Sequence, residues 1–116
     1  MRHLKKKGKL GMKTAPRKAL LRGLATSLVL AGRIETTAAK AKVVKPIIEK
    51  YITLSKVNSL VTRRRLIQYF YKEKAINKLL TELGPKYQER KGGYTRIIRL
   101  ANRRGDNAPK VLLELV

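Results

Sequence analysis

The last quarter of the chain constrains the fold more than any other stretch. It holds two short runs, Tyr94-Thr95-Arg96-Ile97-Ile98 and Lys110-Val111-Leu112-Leu113-Glu114-Leu115-Val116. Their β-branched and aromatic side chains suit a pleated, half-buried surface, which predicts two strands. Gly92-Gly93 frees the entry to the first strand, because glycine reaches positive φ without a Cβ penalty. The connection carries Gly105, Asp106, Asn107 and Pro109 and is too long for a two-residue hairpin. A small sheet placed this late must be covered by helices supplied from upstream.

The upstream chain has that periodicity. Thr14 is suited to cap a helix that accepts Pro16 in its first turn. Leu20, Leu21, Leu24, Ala25 and Leu28 follow as one apolar stripe, with Lys18 and Arg22 on the other side and Gly32 as a stop. Residues 33–36 have room for a short strand, and Thr37 is placed to cap a second helix reaching about 54. Val44, Ile47, Ile48, Tyr51 and Ile52 form its apolar face, and Pro46 predicts a kink. A third helix starts at Asn58 or Ser59 and runs to about 71, carrying Arg63-Arg64-Arg65. A fourth spans about 72–83 and stops at Gly84-Pro85. The order helix, strand, three helices, two strands predicts an α+β fold: a two-layer domain over 14–116, with a small sheet covered by helices and a basic extension, 1–13, ahead of it.

Charge names the class of partner. Lys and Arg number 29 against 7 Asp and Glu, a formal charge of +22 with no acid before Glu35. Such one-sided charge repels itself in the compact state and attracts polyanions. Each phosphate it neutralises releases a condensed counterion, so nucleic acid is the leading partner. The 116 residues are one domain, able to bury roughly 65% of the unfolded surface. There is no cysteine, hence no disulfide frame, and no apolar run of signal-peptide or transmembrane length; a soluble cytoplasmic protein is expected.

Catalytic material is thin. The single histidine, His3, lies in the basic arm, where no scaffold positions it as a base. The seven acids show no metal-ligand spacing, and the Gly8 to Thr14 segment lacks the spacing of a phosphate loop. No enzyme activity, cofactor, metal or small-molecule substrate is expected.

Three groups of residues support nucleic-acid binding. The first is the arm and the helix after it: Arg2, His3, Lys5, Lys6, Lys7, Lys9, Lys13, Arg17, Lys18 and Arg22. The second is Lys40 and Lys42 with Arg63, Arg64 and Arg65, although consecutive helical residues point in different directions. The third is Arg90, Lys91, Arg96, Arg99, Arg103 and Arg104, with Tyr94 as a stacking surface. The ordinary alternative for the strand arginines is a solvated edge that discourages strand pairing. Tyr69-Phe70-Tyr71 is read as core in preference to a stacking platform. No zinc finger, basic zipper or aromatic RNA-recognition strand is present, which favours shape and backbone reading of a folded RNA. Composition alone also permits a DNA-compacting protein.

The residues resemble the bacterial large-subunit ribosomal protein seventeen family over essentially the whole length. The resemblance rests on Met1-Arg2-His3, Ile34-Glu35-Thr36-Thr37 with Lys40-Ala41-Lys42, and Glu82-Leu83-Gly84-Pro85 with Tyr87. It rests further on Gly92-Gly93-Tyr94-Thr95-Arg96-Ile97, Gly105-Asp106-Asn107-Ala108-Pro109 and Glu114-Leu115-Val116. It implies an α+β structural protein, without enzymatic activity, that binds large-subunit (23S) ribosomal RNA. It also implies a place near the nascent-chain exit, beside ribosomal proteins twenty-two and thirty-two. Thr14-Ala15-Pro16 stands where the family often shows Ser-Ser-His, so any RNA contact of that histidine is not carried over. Ala39, Val43 and Pro46 are further departures, local in their effect.

Overall fold

The structure is a computed structural model that describes residues 12–70 and 72–116. Helix α1 (Thr14–Ala31) leads into strand β1 (Arg33–Thr37), then helices α2 (Ala38–Ser55) and α3 (Leu60–Tyr69). Helix α4 (Glu73–Lys78) continues through a π-helical segment, Leu79–Leu83, into a last turn, α5 (Gly84–Lys86). Strands β2 (Thr95–Arg99) and β3 (Lys110–Leu115) close the chain. The two-layer α+β architecture expected from periodicity is what forms. The expectation of a basic arm falls almost wholly on residues outside those described.

The sheet is antiparallel throughout and ordered β1-β3-β2, so the last strand is the central one. Val111 and Leu113 of β3 are buried towards the helices. Register sets Ile34 and Ile97 opposite Leu113, and Thr95 opposite Leu115, so these share that inner face. The other face carries a charge ladder. Glu114 lies across from both Arg33 and Arg96, and Lys110 Nζ approaches Glu35 at 3.7 Å. The two edge strands thus carry the charges that oppose edge-to-edge pairing.

Local signals account for most helix ends. Gly32 adopts φ 85° and its N–H donates to Leu28 O, the left-handed stop expected of it. Thr37 accepts from Lys40 N and so caps as the sequence suggests, while Ser59 accepts from Thr62 N and decides the start of α3 that the sequence left open between Asn58 and Ser59. Thr14 does not: Lys13 occupies the cap position, without a side-chain hydrogen bond, and Thr14 is the first helical residue. Helix α2 runs unbroken through Pro46.

The Gly84-Pro85 stop is the clearest correction. Gly84 is helical, at φ −55° and ψ −56°, and its N–H donates to Leu79 O in the wide turn of the π segment. Pro85 follows as an early residue of the last turn, where a missing N–H is tolerated. A Cβ on Gly84 would lie 2.4 Å from the carbonyl oxygen of Ser55. Glycine is therefore here for close helix–helix approach and not for a turn. The wide turn also brings Leu79, Leu80 and Leu83 into the core together.

A polar strut joins the layers. Glu49 Oε2 of α2 accepts from Thr95 N at 3.2 Å, from Thr95 Oγ1 at 2.9 Å and from Lys45 Nζ at 3.2 Å. Burial opposes ionisation of this carboxyl, but the Thr95 and Lys45 donors outweigh it and hold its pKa below the ordinary value.

Candidate nucleic-acid interface

Of the cations expected from the sequence, the fold brings Arg22 and Arg65 into one cluster and Lys40, Lys42, Arg99 and Arg103 into a second. The first lies in a cleft of about 350 Å³ between α1, α2 and α3. Arg22, Lys50 and Arg65 line it, one from each helix, with Gln68, Leu54 and the rings of Tyr51 and Tyr69. The rings stack with centroids 4.6 Å apart, and the Arg22 guanidinium lies over Tyr69 at 5.3 Å. Arg22 Nε is buried without a hydrogen-bond partner. Among the described residues none of these three cations forms an ion pair. Phe70 is buried edge-on against both tyrosines, in keeping with its reading as core, whereas Tyr69 is half-buried and belongs to the cleft wall. Tyr71 lies outside the described residues.

The second cluster surrounds the start of α2 and the open end of the sheet. Lys40, Arg103 and Lys110 line one depression with Glu35, while Lys42, Arg99 and Lys110 line its neighbour with Asn102. Positions 40–42 and 99–110 are remote in sequence. They meet because Ala38 N donates to Pro109 O and Leu100 N to Lys110 O.

Several of the arginines are already engaged. Arg96 Nε donates to Glu114 Oε1 at 2.5 Å. Arg103 grips Asp106 through Nε at 2.9 Å and a terminal nitrogen at 2.6 Å. That pair and the Ala108 N–H hold the Asp106 carboxyl well below the usual carboxylate range. Arg103 N also donates to Ala108 O and Asn107 takes φ 56°, so Arg103 shapes the β2–β3 loop as much as it presents charge. Arg63 donates to Asn77 Oδ1 at 2.8 Å and lies 3.9 Å from Glu73. Lys18, Arg64, Arg90, Lys91 and Arg104 are exposed, Arg17 is half-buried, and Lys13 is exposed just ahead of α1. Arg2, His3, Lys5, Lys6, Lys7 and Lys9 lie outside the described residues.

Tyr94 corrects the sequence reading. It is 1% exposed, so its ring offers no stacking surface. The positive φ of Gly92 and Gly93, 80° and 64°, turns the chain into β2 just ahead of this side chain. Its ring meets Tyr87 at 5.1 Å, and its hydroxyl pairs with Thr53 Oγ1 at 2.9 Å. Burial alone would raise the hydroxyl's pKa, but the Lys56 ammonium and Thr53 outweigh it and set it below its ordinary value. Lys50 and Gln68 are the residues sequence reasoning did not select. Nothing local marks them; only the crossing of α2 and α3 places them beside Arg22.

Comparison with known proteins settles the family. The family described as "Ribosomal protein L17" matches residues 20–116. The chain belongs to that family. A relative from Desulfitobacterium hafniense is 52% identical over 108 residues, covering 93% of this chain and 96% of its own length. Relatives from Desulforamulus reducens and Carboxydothermus hydrogenoformans are 50% and 49% identical over the same shares. All three are named "Large ribosomal subunit protein bL17", the name of a ribosomal protein and not of an enzyme. The resemblance found in the motifs is thus a family relationship.

Proposed function

We propose that this chain is a structural component of the large ribosomal subunit that binds and stabilises its large (23S) RNA. The residues of 1–13 and the two cationic clusters make the contacts. The observation that carries this reading is the cleft of Arg22, Lys50 and Arg65, where three helices converge cations with no carboxylate in the wall. Uncompensated like charges repel one another, and a polyphosphate relieves that repulsion while releasing counterions. Residues 14–116 form the single RNA-binding domain, and 1–13 act as a basic arm that adds phosphate contacts. The protein then works in the cytoplasm within the ribosome, with ribosomal proteins twenty-two and thirty-two as the neighbours that the family resemblance suggests.

The test measures affinity of the full chain for large-subunit RNA across salt concentration. With ~8 phosphate contacts the logarithm of affinity should fall against the logarithm of salt with a slope of about −6. Removing residues 1–13 should make the slope shallower. In lysate the protein should sediment stoichiometrically with large subunits. A slope near zero, or sedimentation with the nucleoid, would overturn the proposal.

A further inference from the structure

We propose that the outward face of α3 docks a segment of another protein in the assembled subunit, a segment carrying apolar side chains and carboxylates together. The inference rests on the reading of this chain as a large-subunit component. It adds to that reading a protein-binding surface and the chemistry of its partner.

Helix α3 is apolar on the side that the core does not use. Thr62 and Leu66 are the residues it buries. Leu60, Val61 and Ile67 project away from them at helical spacing, and Val57 stands in the turn just ahead of the helix. All four are 56–65% exposed, and they are four of the six large aliphatic side chains exposed among the described residues. One exposed aliphatic residue needs no explanation, but a group of them rimmed by polar side chains marks a protein-binding site.

The face ends at a socket. Ile67, Phe70 and Ile76 line a hollow of about 340 Å³ between α3 and α4, together with Arg63 and Glu73. Arg63 already donates to Asn77 Oδ1 and faces Glu73, so the apolar residues are what the hollow has to offer. A large apolar side chain seated in such a hollow is the kind of anchor that dominates the energy of a protein interface.

Charge chooses the occupant. Arg64 stands among Leu60, Val61 and Ile67, exposed and without an ion pair among the described residues, on a helix that holds no acid. A carboxylate is the group that answers it. RNA does not suit this face, because phosphates set against aliphatic side chains lose water without gaining donors. A second copy would bring one Arg64 towards another under the repulsion of two chains of charge +22. Residues 1–13 hold no acid. A separate polypeptide with carboxylates beside its apolar anchors meets both demands, and opposite charges across the contact fix its register.

The chain has no cysteine, so Val57→Cys in the full chain takes a benzophenone maleimide at that one place, on the margin of the face. The labelled chain is built into large subunits reconstituted from their RNA and proteins, isolated on a gradient and irradiated. The label should join to protein, and mass spectrometry of the joined peptide should find apolar and acidic residues together. Lys42→Cys, labelled alike in the second cationic cluster, should join to RNA. Ile67→Asp or Arg64→Glu, added to the Val57→Cys chain, should lower the yield of joined protein about 5–30-fold, the effect of losing one anchor. Both residues are exposed, so the fold should survive, and Arg64→Lys should keep the yield. The inference is overturned by RNA, a second copy, a peptide without carboxylates or no product at position 57, and equally by a yield that Arg64→Glu leaves unmoved. The function proposed above would then still stand on the RNA joined at position 42. A parent chain that does not enter large subunits would instead overturn that function, and this inference with it.

Discussion

Replacing Gly84 by alanine should destabilise the protein although Gly84 lies in a helical conformation. In an open helix the change would stabilise by up to about 1 kcal/mol, because alanine has less backbone freedom to lose. At Gly84 the new Cβ would lie 2.4 Å from Ser55 O, 3.1 Å from Ser55 C and 3.1 Å from Leu79 O. All three are backbone atoms, so no rotamer change relieves the contact and α2 must shift against the π segment. Overpacking of this kind costs about 1–3 kcal/mol, and a rigid backbone neighbour puts Gly84 at the upper end. After the propensity gain the net loss is about 2 kcal/mol, and at ~4 °C per kcal/mol the midpoint should fall by about 8 °C. Gly23→Ala is the internal control. That glycine is also helical, yet its added Cβ meets nothing within 4 Å, so the midpoint should rise by about 2–4 °C. Calorimetry and urea unfolding of the three proteins decide the matter. A Gly84→Ala protein that melts at or above the parent refutes the close-approach argument, as does a Gly23→Ala protein that falls equally.

Glu49→Gln should alter the acid limb of stability. Because the folded pKa lies below the ordinary 4.5, the carboxylate stabilises the fold above that value and loses its contribution as pH falls through the folded pKa. Stability of the parent should therefore decline more steeply than that of the variant below about pH 4.5; parallel curves would contradict the strut. Tyr94→Phe removes the hydrogen bond to Thr53 and should lower stability by about 1 kcal/mol, with no change in the salt slope for RNA, since the ring is buried. Weaker RNA binding at an unchanged midpoint would restore Tyr94 as a contact. Asp106→Asn releases Arg103 and should steepen the salt slope by about 0.7–0.9, the value of one more phosphate neutralised. It should also speed amide exchange across 101–108, and a slope unchanged in a loosened loop would show that Arg103 does not reach RNA.

Sequence by itself determined the features that act within a few residues. Helical stripes, the cap at Thr37, the left-handed stop at Gly32 and the glycine pair before β2 are local, and each is found where the pattern put it. The partner class was legible for a different reason: a charge of +22 acts at long range and needs no particular arrangement. Tertiary structure alone decided what depends on neighbours remote in the chain. Lys110–Leu115 becomes the central strand because its apolar run is paired on both sides, leaving the charged β1 and β2 as edges. Gly84 followed by Pro85 has the local signature of a stop, but the approach of the Ser55 carbonyl makes the glycine a contact point inside a helix. Tyr94 has the composition of a stacking residue and the environment of a core residue, because Thr53 and Tyr87 surround it from 41 positions before and from the preceding turn. The cleft is the extreme case. Arg22, Lys50 and Arg65 are ordinary solvent-side residues of three helices, and only the packing of α1, α2 and α3 points them at one place.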